Sequence, residues 1–389
     1  MGKIDELIQQ YCPDGVEYVN VGDMCDIHKG VQFNKSDMKE MGSYPVMNGG
    51  INPSGYAEVF NEDENTITIS QGGASAGYVN FLDSKFWLGA HCYALKPYSV
   101  VMNRYLYHYI KQSEITLQQC QYGAGIPALA KSTISSLEIP LPPLPVQEAI
   151  VNILDRFAVY AAELQAELQA RQQQYNYYRD TLLSFEGRED VQWKKLDEVA
   201  SIKTGRRFVR TDIRESGVPC FHYGDIYTYY GLTATKTKGY LDAELASKLR
   251  FAQPNDVVVV CAGENDMDIG VGVAWLGDEP AVIHDACCIL HHEQNPRYIS
   301  HFLRTHNYHL QMKRYVKNGK ISSLPASGLA EALIPIPSLE EQEKIANILD
   351  RFDTLVNDLS QGLPAEIEAR QQQYEYYRDQ LLTFKRKEA

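Results

Sequence analysis

A chain of 389 residues, 44% hydrophobic and 22% charged, is long enough for two ordinary domains, each burying its own core. It contains no apolar run of about 18 residues, and Met1-Gly2-Lys3-Ile4-Asp5-Glu6 opens it without an apolar stretch, so neither a membrane span nor a secretory signal is expected. The eight cysteines are scattered, with Cys287 and Cys288 adjacent, which reads as reduced thiols of a cytoplasm rather than a disulfide framework.

The net charge of −13 speaks against a polyanionic partner, but its distribution matters more. Residues 17–145 carry 8 Lys and Arg against 12 Asp and Glu, residues 192–335 carry 17 against 16, and the remainder carries 12 against 22. The acid therefore concentrates on the stretches read below as helices. A nucleic-acid reader needs a basic face, not a basic total.

Residues 1–145 are expected to form a mixed, strand-rich domain with a short N-terminal helix. Thr66-Ile67-Thr68-Ile69 and Phe86-Trp87-Leu88 read as strands, and Asn48-Gly49-Gly50 and Gln71-Gly72-Gly73 as tight turns. Arg104 to Gln119 reads as a helix. Lys29, Gln32, Asn34 and Lys35 are candidates for DNA contact, as are Gln71 in the Gly-rich loop Ser70 to Tyr78 and Tyr122 in a second polar loop.

Residues 146–186 read as one long helix. From Ile150 the apolar positions run Leu154, Phe157, Ala161, Leu164, Leu168, Arg171, Tyr175, Tyr178, Leu182 and Phe185, alternating steps of four and three. That is a heptad seam. Pro140, Pro142, Pro143 and Pro145 are expected to keep the helix from starting earlier.

Residues 187–337 repeat the domain plan, with Asp256-Val257-Val258-Val259-Val260 as a buried strand and Pro296 to Val316 as a helix. Lys203, Thr204, Gly205, Arg206, Arg207, Arg210 and Arg214 form the densest basic run of the chain. Gly205 lets the backbone approach closely, and arginine grips phosphate or reads guanine. Lys203, Thr204, Arg206, Arg207 and Arg210 are therefore DNA candidates, joined by Lys317 and Lys320 of a polar loop. The Gly-rich stretch Ala262 to Gly272 has no phosphate-loop lysine and is either a base-reading loop or a plain turn. His284, Cys287, Cys288, His291 and His292 suggest metal ligands, but Cys287 aligns with Cys92 in a strand-like segment, and no metal is expected.

Residues 338–389 read as a second long helix, with a seam from Ile345 through Leu349, Phe352, Val356, Leu359, Leu363, Ile367, Arg370, Tyr374, Tyr377 and Leu381 to Phe384. One extra step of four, from Leu363 to Ile367, is a stutter beside Gly362 and Pro364, where a kink or break is expected. The alternative arrangement is two independent surface helices. Matched seams favour helices packed on each other, antiparallel if a pseudo-dyad relates the halves. Arg171, Tyr175 and Tyr178, with Arg370, Tyr374 and Tyr377, make part of the seam unlike a dry core, so these six are candidates for contact with another chain.

Self-similarity ties the halves together. Asn152-Ile153-Leu154-Asp155-Arg156-Phe157 returns as Asn347-Ile348-Leu349-Asp350-Arg351-Phe352, and Gln147-Glu148 as Gln342-Glu343. Arg171-Gln172-Gln173-Gln174-Tyr175 returns as Arg370-Gln371-Gln372-Gln373-Tyr374, and Tyr177-Tyr178-Arg179-Asp180 as Tyr376-Tyr377-Arg378-Asp379. Ser201-Ile202-Lys203-Thr204-Gly205 matches Asp26-Ile27-His28-Lys29-Gly30, so the order domain, helix, domain, helix is circular.

No methyl-donor loop, Walker motif, helicase signature or convincing nuclease cluster is present. With these repeat blocks, the chain resembles the specificity subunit of a type I restriction-modification system. The resemblance covers essentially the whole sequence. It implies an α+β fold: two mixed, strand-rich target-recognition domains separated by two long antiparallel coiled-coil helices, in a pseudo-two-fold circular repeat. It further implies a non-catalytic chain that reads a bipartite, asymmetric site on double-stranded DNA, its helices acting as a ruler for the unread spacer. Two methyltransferase subunits using S-adenosylmethionine and restriction or motor subunits using ATP and Mg2+ would be its partners; this chain would hold no cofactor. The competing reading is a protein-interaction scaffold built on the coiled coil, without DNA affinity.

Overall fold

The computed structural model describes residues 2–123, 125–263, 269–317, 319, 321–358 and 360–388. It divides into two compact units, Met1–Glu163 with Glu368–Ala389, and Leu164–Ile367. Each unit therefore holds one globular domain, the start of the helix that follows it and the end of the other long helix.

In the first unit the strands Cys25–Lys29, Cys92–Pro97, Thr66–Ser70 and Val79–Leu82 form an antiparallel sheet in that order. A second sheet places Tyr44–Met47 between Tyr56–Ala57 and Trp87–Leu88, the latter pair parallel. Thr66–Ser70 is buried at every position, as a run of β-branched residues in a central strand should be. The second unit repeats this. Ala200–Thr204, Cys287–His292, Val257–Val260, Gly272–Trp275 and Thr233–Ala234 form one sheet. Gly239–Leu241, Val218–Phe221, Ala281–Ile283 and Phe251–Ala252 form the other, with Val218–Phe221 and Ala281–Ile283 parallel. The expected strands at Val257–Val260, Thr66–Ser70 and Trp87–Leu88 are present.

The two expected domain helices are each divided in two. Asn103–Gln112 is followed by Glu114–Gln119, and Pro296–Phe302 by His306–Met312. In the second case Thr305 starts a new helix, its hydroxyl accepting from the Tyr308 amide.

The first long helix is Leu144–Leu182, 39 residues. It starts six residues before Ile150, earlier than the prolines led one to expect. Pro145 lies in the first turn, where a missing N–H has no helical partner to lose. The second long helix is broken into Leu339–Asn357 and Leu363–Leu381, as the stutter predicts. Asp358 Oδ1 accepts from the Ser360 amide and hydroxyl and from the Gln361 amide, which holds the break. Gly362 stands so close to the Thr354 and Leu355 carbonyls that a Cβ would meet them. Pro364 sits in the first turn of the new helix, a position it tolerates. Leu359, a seam position, falls outside the described residues.

The repeated blocks have matched physical roles. Gln147 and Gln342 are fully buried. Each accepts from a domain amide, Met102 N at 2.8 Å and Asn295 N at 3.0 Å, and donates to a carbonyl at its own helix start, Pro142 or Pro337. Asp155 accepts from Arg104 at 2.5 Å and His108 at 2.8 Å; Asp350 accepts from Arg297 at 2.5 Å and His301 at 2.9 Å. Burial pushes the Asp155 carboxyl up, but bonds from His108 and Arg104 outweigh it and hold it at about 2. Asp350 is lowered in the same way. Phe157 stacks on Tyr377 at 5.6 Å in the first unit, and Phe352 on Tyr178 at 5.3 Å in the second. Within the first unit Phe157 also meets Tyr374, and Tyr160 meets Arg370, so residue numbers rise on one helix as they fall on the other. The helices are antiparallel there. Among the described residues no helix is long and apolar enough to cross a membrane.

Candidate nucleic-acid interface

The basic run begins on the strand Ala200–Thr204, whose Lys203 and Thr204 pair with Ile289 and Cys288. It then turns at Gly205. The Gly205 amide donates to Cys287 O and the Arg206 amide to Ile283 O. A Cβ at Gly205 would collide with the carbonyls of Ile283 and His284. The first unit has the same construction. Gly30 donates to Cys92 O, Val31 to Leu88 O, and a Cβ at Gly30 would collide with Leu88 O and Gly89 O. The glycine in the repeated Lys-Gly and Lys-Thr-Gly motifs is thus needed for close backbone approach.

Beyond Gly205 the chain rims a cleft of about 330 Å3. Arg207 and Arg210 line it from the basic run, with Phe208 at its base. Ala262 and Gly263, from the Gly-rich stretch, enter its wall and pair with Ser322–Ser323. Ile321 lines it from the polar loop that Lys317 begins, and the Lys317 amide donates to Ser323 O. Three candidate segments far apart in sequence therefore converge. Among the described residues no carboxylate pairs with Arg207 or Arg210, whereas Arg206 donates to the Lys248 carbonyl at 2.7 Å. Lys203 and Lys317 are exposed, and Lys320 lies outside the described residues, as does Ala262–Gly272 between 264 and 268.

The sequence reading missed His222, Tyr223 and Asp285, and took His284 for a possible metal ligand. All four line this cleft. Among the described residues no cluster of three or more such groups has the geometry to hold a metal ion. Cys287 and Cys288 belong to a buried central strand, and His291 is bonded to Asp256 at 2.7 Å. Burial lowers both imidazoles below their ordinary range. Asp225 opposes the shift at His222 and Asp285 opposes it at His284, while Arg210 and Arg207 add to it. Both rings are neutral at pH 7.

In the first unit the matching loops also meet. Gln71 donates its amide to His91 O and accepts from Leu129, Gly72 bridges Ala128, and Tyr122, 57% exposed, bridges Ala128 as well. Lys29 is exposed, with its ammonium 5.9 Å from the Tyr93 ring. Gln32 donates to the Phe33 carbonyl, Asn34 to Asp37, and Lys35 is exposed in the turn that follows.

The six seam residues are engaged within their own units. Tyr175 is 5% exposed, with its hydroxyl 3.3 Å from His301 Nδ1, and Tyr178 lies on Phe352. Tyr374 and Tyr377 lie against Phe157. Arg171 bonds Gln174, and Arg370 bonds Gln373. The neighbouring Tyr177 of one unit and Tyr376 of the other are 66% and 60% exposed.

The sequence model of the type I restriction modification DNA specificity domain matches residues 13–171 and again residues 188–369. The chain belongs to this family. It is 27% identical to a putative type I restriction enzyme specificity subunit of Haemophilus influenzae over 90% of both chains. It is 35% identical to the EcoR124I/EcoR124II specificity subunit of Escherichia coli over 66% of each. A crystal structure of the type I restriction-modification S subunit from M. genitalium superposes with a TM-score of 0.61 at 19% identity, covering 95% of this chain and 96% of that one. A structure from a study of type I complex assembly gives 0.61 at 15% identity, covering 95% and 98%. Specificity subunits supply DNA sequence specificity and are themselves non-catalytic.

Proposed function

We propose that this chain reads a bipartite, asymmetric site on double-stranded DNA in the cytoplasm, one half per target-recognition domain. The second domain reads through the cleft flanked by Arg207 and Arg210, and the first through the loops carrying Gln32, Asn34, Lys35, Gln71 and Tyr122. The chain would direct two methyltransferase subunits, which bind S-adenosylmethionine, and restriction or motor subunits, which use ATP and Mg2+. The long helices would fix the spacer, and exposed Tyr177 in one unit and exposed Tyr376 in the other would help seat the methyltransferases.

The observation that carries this reading is the convergence of two arginines, a Gly-rich wall and a polar hairpin in one cleft of a domain that occurs twice. Matched helix blocks joined to loops as different as Phe221-His222-Tyr223 and Met47-Asn48-Gly49 fit one frame with two specificities. A gel-shift titration of the complex with its methyltransferase against duplexes differing in two half-sites tests it. A preference for two separated half-sites is expected. Salt-sensitive binding without sequence preference, or partner binding without DNA affinity, would overturn it.

A further inference from the structure

Parallel pairing of Val218–Phe221 with Ala281–Ile283 sets Cys220 opposite Val282 and Phe221 opposite Ile283. The next residue on each strand is a histidine, so His222 and His284 emerge side by side at one sheet edge. Their rings are 4.8 Å apart, and Phe208 meets both edge-on, at 6.2 and 5.1 Å. The Gly224 amide donates to His222 Nδ1 at 3.3 Å, and the Ala286 amide donates to His284 Nδ1 at 3.1 Å. With each Nδ1 as acceptor, the proton of each neutral ring is assigned to Nε2; at His284 a ring N–H also reaches the Phe208 backbone carbonyl. Asp285 Oδ1 also stands 3.0 Å from His284 Nδ1, but a proton there would face the Ala286 N–H.

We propose that His222 and His284 are specificity-determining residues of the second recognition domain, donating from their Nε2–H groups to N7 and O6 of one guanine in the major groove. This rests on the DNA-reading role proposed above. A G·C pair shows two adjacent acceptors on guanine and one amino donor on cytosine. The cleft offers the complement, two adjacent imidazole donors and the Asp285 carboxylate. An A·T edge alternates acceptor, donor, acceptor and does not match two adjacent donors. A phosphate site would use cations, and the cations here, Arg207 and Arg210, line the same cleft from the neighbouring loop. In the first unit the same strand pairing, Val46 with Trp87 and Met47 with Leu88, brings out Asn48 and Gly89 instead. That pair has no two ring donors, so the first domain reads a different base.

The test uses the full chain with its methyltransferase and duplexes carrying the mapped site, with 7-deazaguanine replacing each guanine in turn. The wild-type complex should lose at least about tenfold in affinity at one guanine, the size expected for a lost base contact. A His222→Ala, His284→Ala complex should bind both duplexes equally, accept other bases there, and keep the wild-type salt dependence, which counts phosphate contacts. Melting temperature and methyltransferase assembly check its folding; if it fails to fold, the 7-deazaguanine series on wild type decides. A site indifferent to 7-deazaguanine everywhere, or a double variant that still discriminates, would overturn the proposal. Absence of any sequence preference in the wild-type complex would instead overturn the DNA-reading role itself.

Discussion

Asp350→Ala should lower the unfolding free energy by about 2–4 kcal/mol, somewhat below the range for a fully buried pair because the carboxylate is 28% exposed. It leaves a fully buried His301 without its acceptor and takes one acceptor from Arg297, which keeps Glu343 and Asn347. Asp350→Asn keeps an acceptor and should cost less. Acid should act in the same direction. The Asp350 carboxyl sits below its ordinary value of 3.8, so its contribution is full above that value and is lost as pH falls through the lowered one. Burial lowers His301 below its ordinary 6.5, so protonation favours the unfolded chain once pH drops past that value. Urea unfolding should show wild type weakening below pH 6.5, as His301 favours the unfolded chain, and weakening again below pH 3.8, as the Asp350 contribution is lost. A loss within about 0.5 kcal/mol for Asp350→Ala at pH 7 would show that the cluster does not tie helix to domain.

Gly205→Ala should abolish most sequence-specific binding while leaving the rest of the fold in place. The added Cβ would press on the carbonyls of Ile283 and His284, which are backbone atoms that cannot swing aside. The Arg206–Arg210 loop or the His284 strand end must shift, at a cost of about 1–3 kcal/mol. Either shift opens the cleft that both elements line. Specific affinity should fall at least about tenfold, the discrimination one base contact carries. Gly30→Ala should do the same to the other half-site, since Leu88 and Gly89 stand in the matching place. Gly231→Ala, which meets nothing within 4 Å, is the control. Unchanged specificity in Gly205→Ala, with wild-type control behaviour, would remove this turn from the recognition surface.

The frame was legible because repetition and heptad spacing are properties of the sequence itself. Asp155 and Asp350, or Gln147 and Gln342, recur because the same clamp is built twice. Helix limits were less legible. Pro145 stops a helix in its interior but not in its first turn, and the pattern alone does not say which applies. The break at Asp358 to Gly362 was readable from a four-residue insertion, though Gly362 and Asp358, rather than Pro364, hold it. The division after Phe302 was missed because it depends on Thr305 capping a new helix inside an apolar pattern. In the cleft lined by Arg207 and His284, the basic run was visible as local charge density. The histidines were not, because His222 and His284 are neighbours only through the parallel pairing of Cys220 with Val282. Read along the chain, His284 grouped with Cys287 and Cys288; in the fold it faces His222 and Tyr223. The tyrosine seam shows a similar limit. Heptad positions gave Tyr175 and Tyr178; packing buries Tyr175 and lays Tyr178, still 38% exposed, on Phe352, leaving Tyr177 more open.

In the function proposed here, one chain with two recognition domains defines one two-part DNA site. Mapping every methylated adenine in the genome of cells that express this chain with its methyltransferase tests it most directly. The expected result is a single asymmetric motif of two half-sites separated by a spacer of fixed length and free sequence, lost when the chain is deleted. Methylation at one continuous motif, at half-sites with variable spacing, or unchanged by the deletion would contradict it.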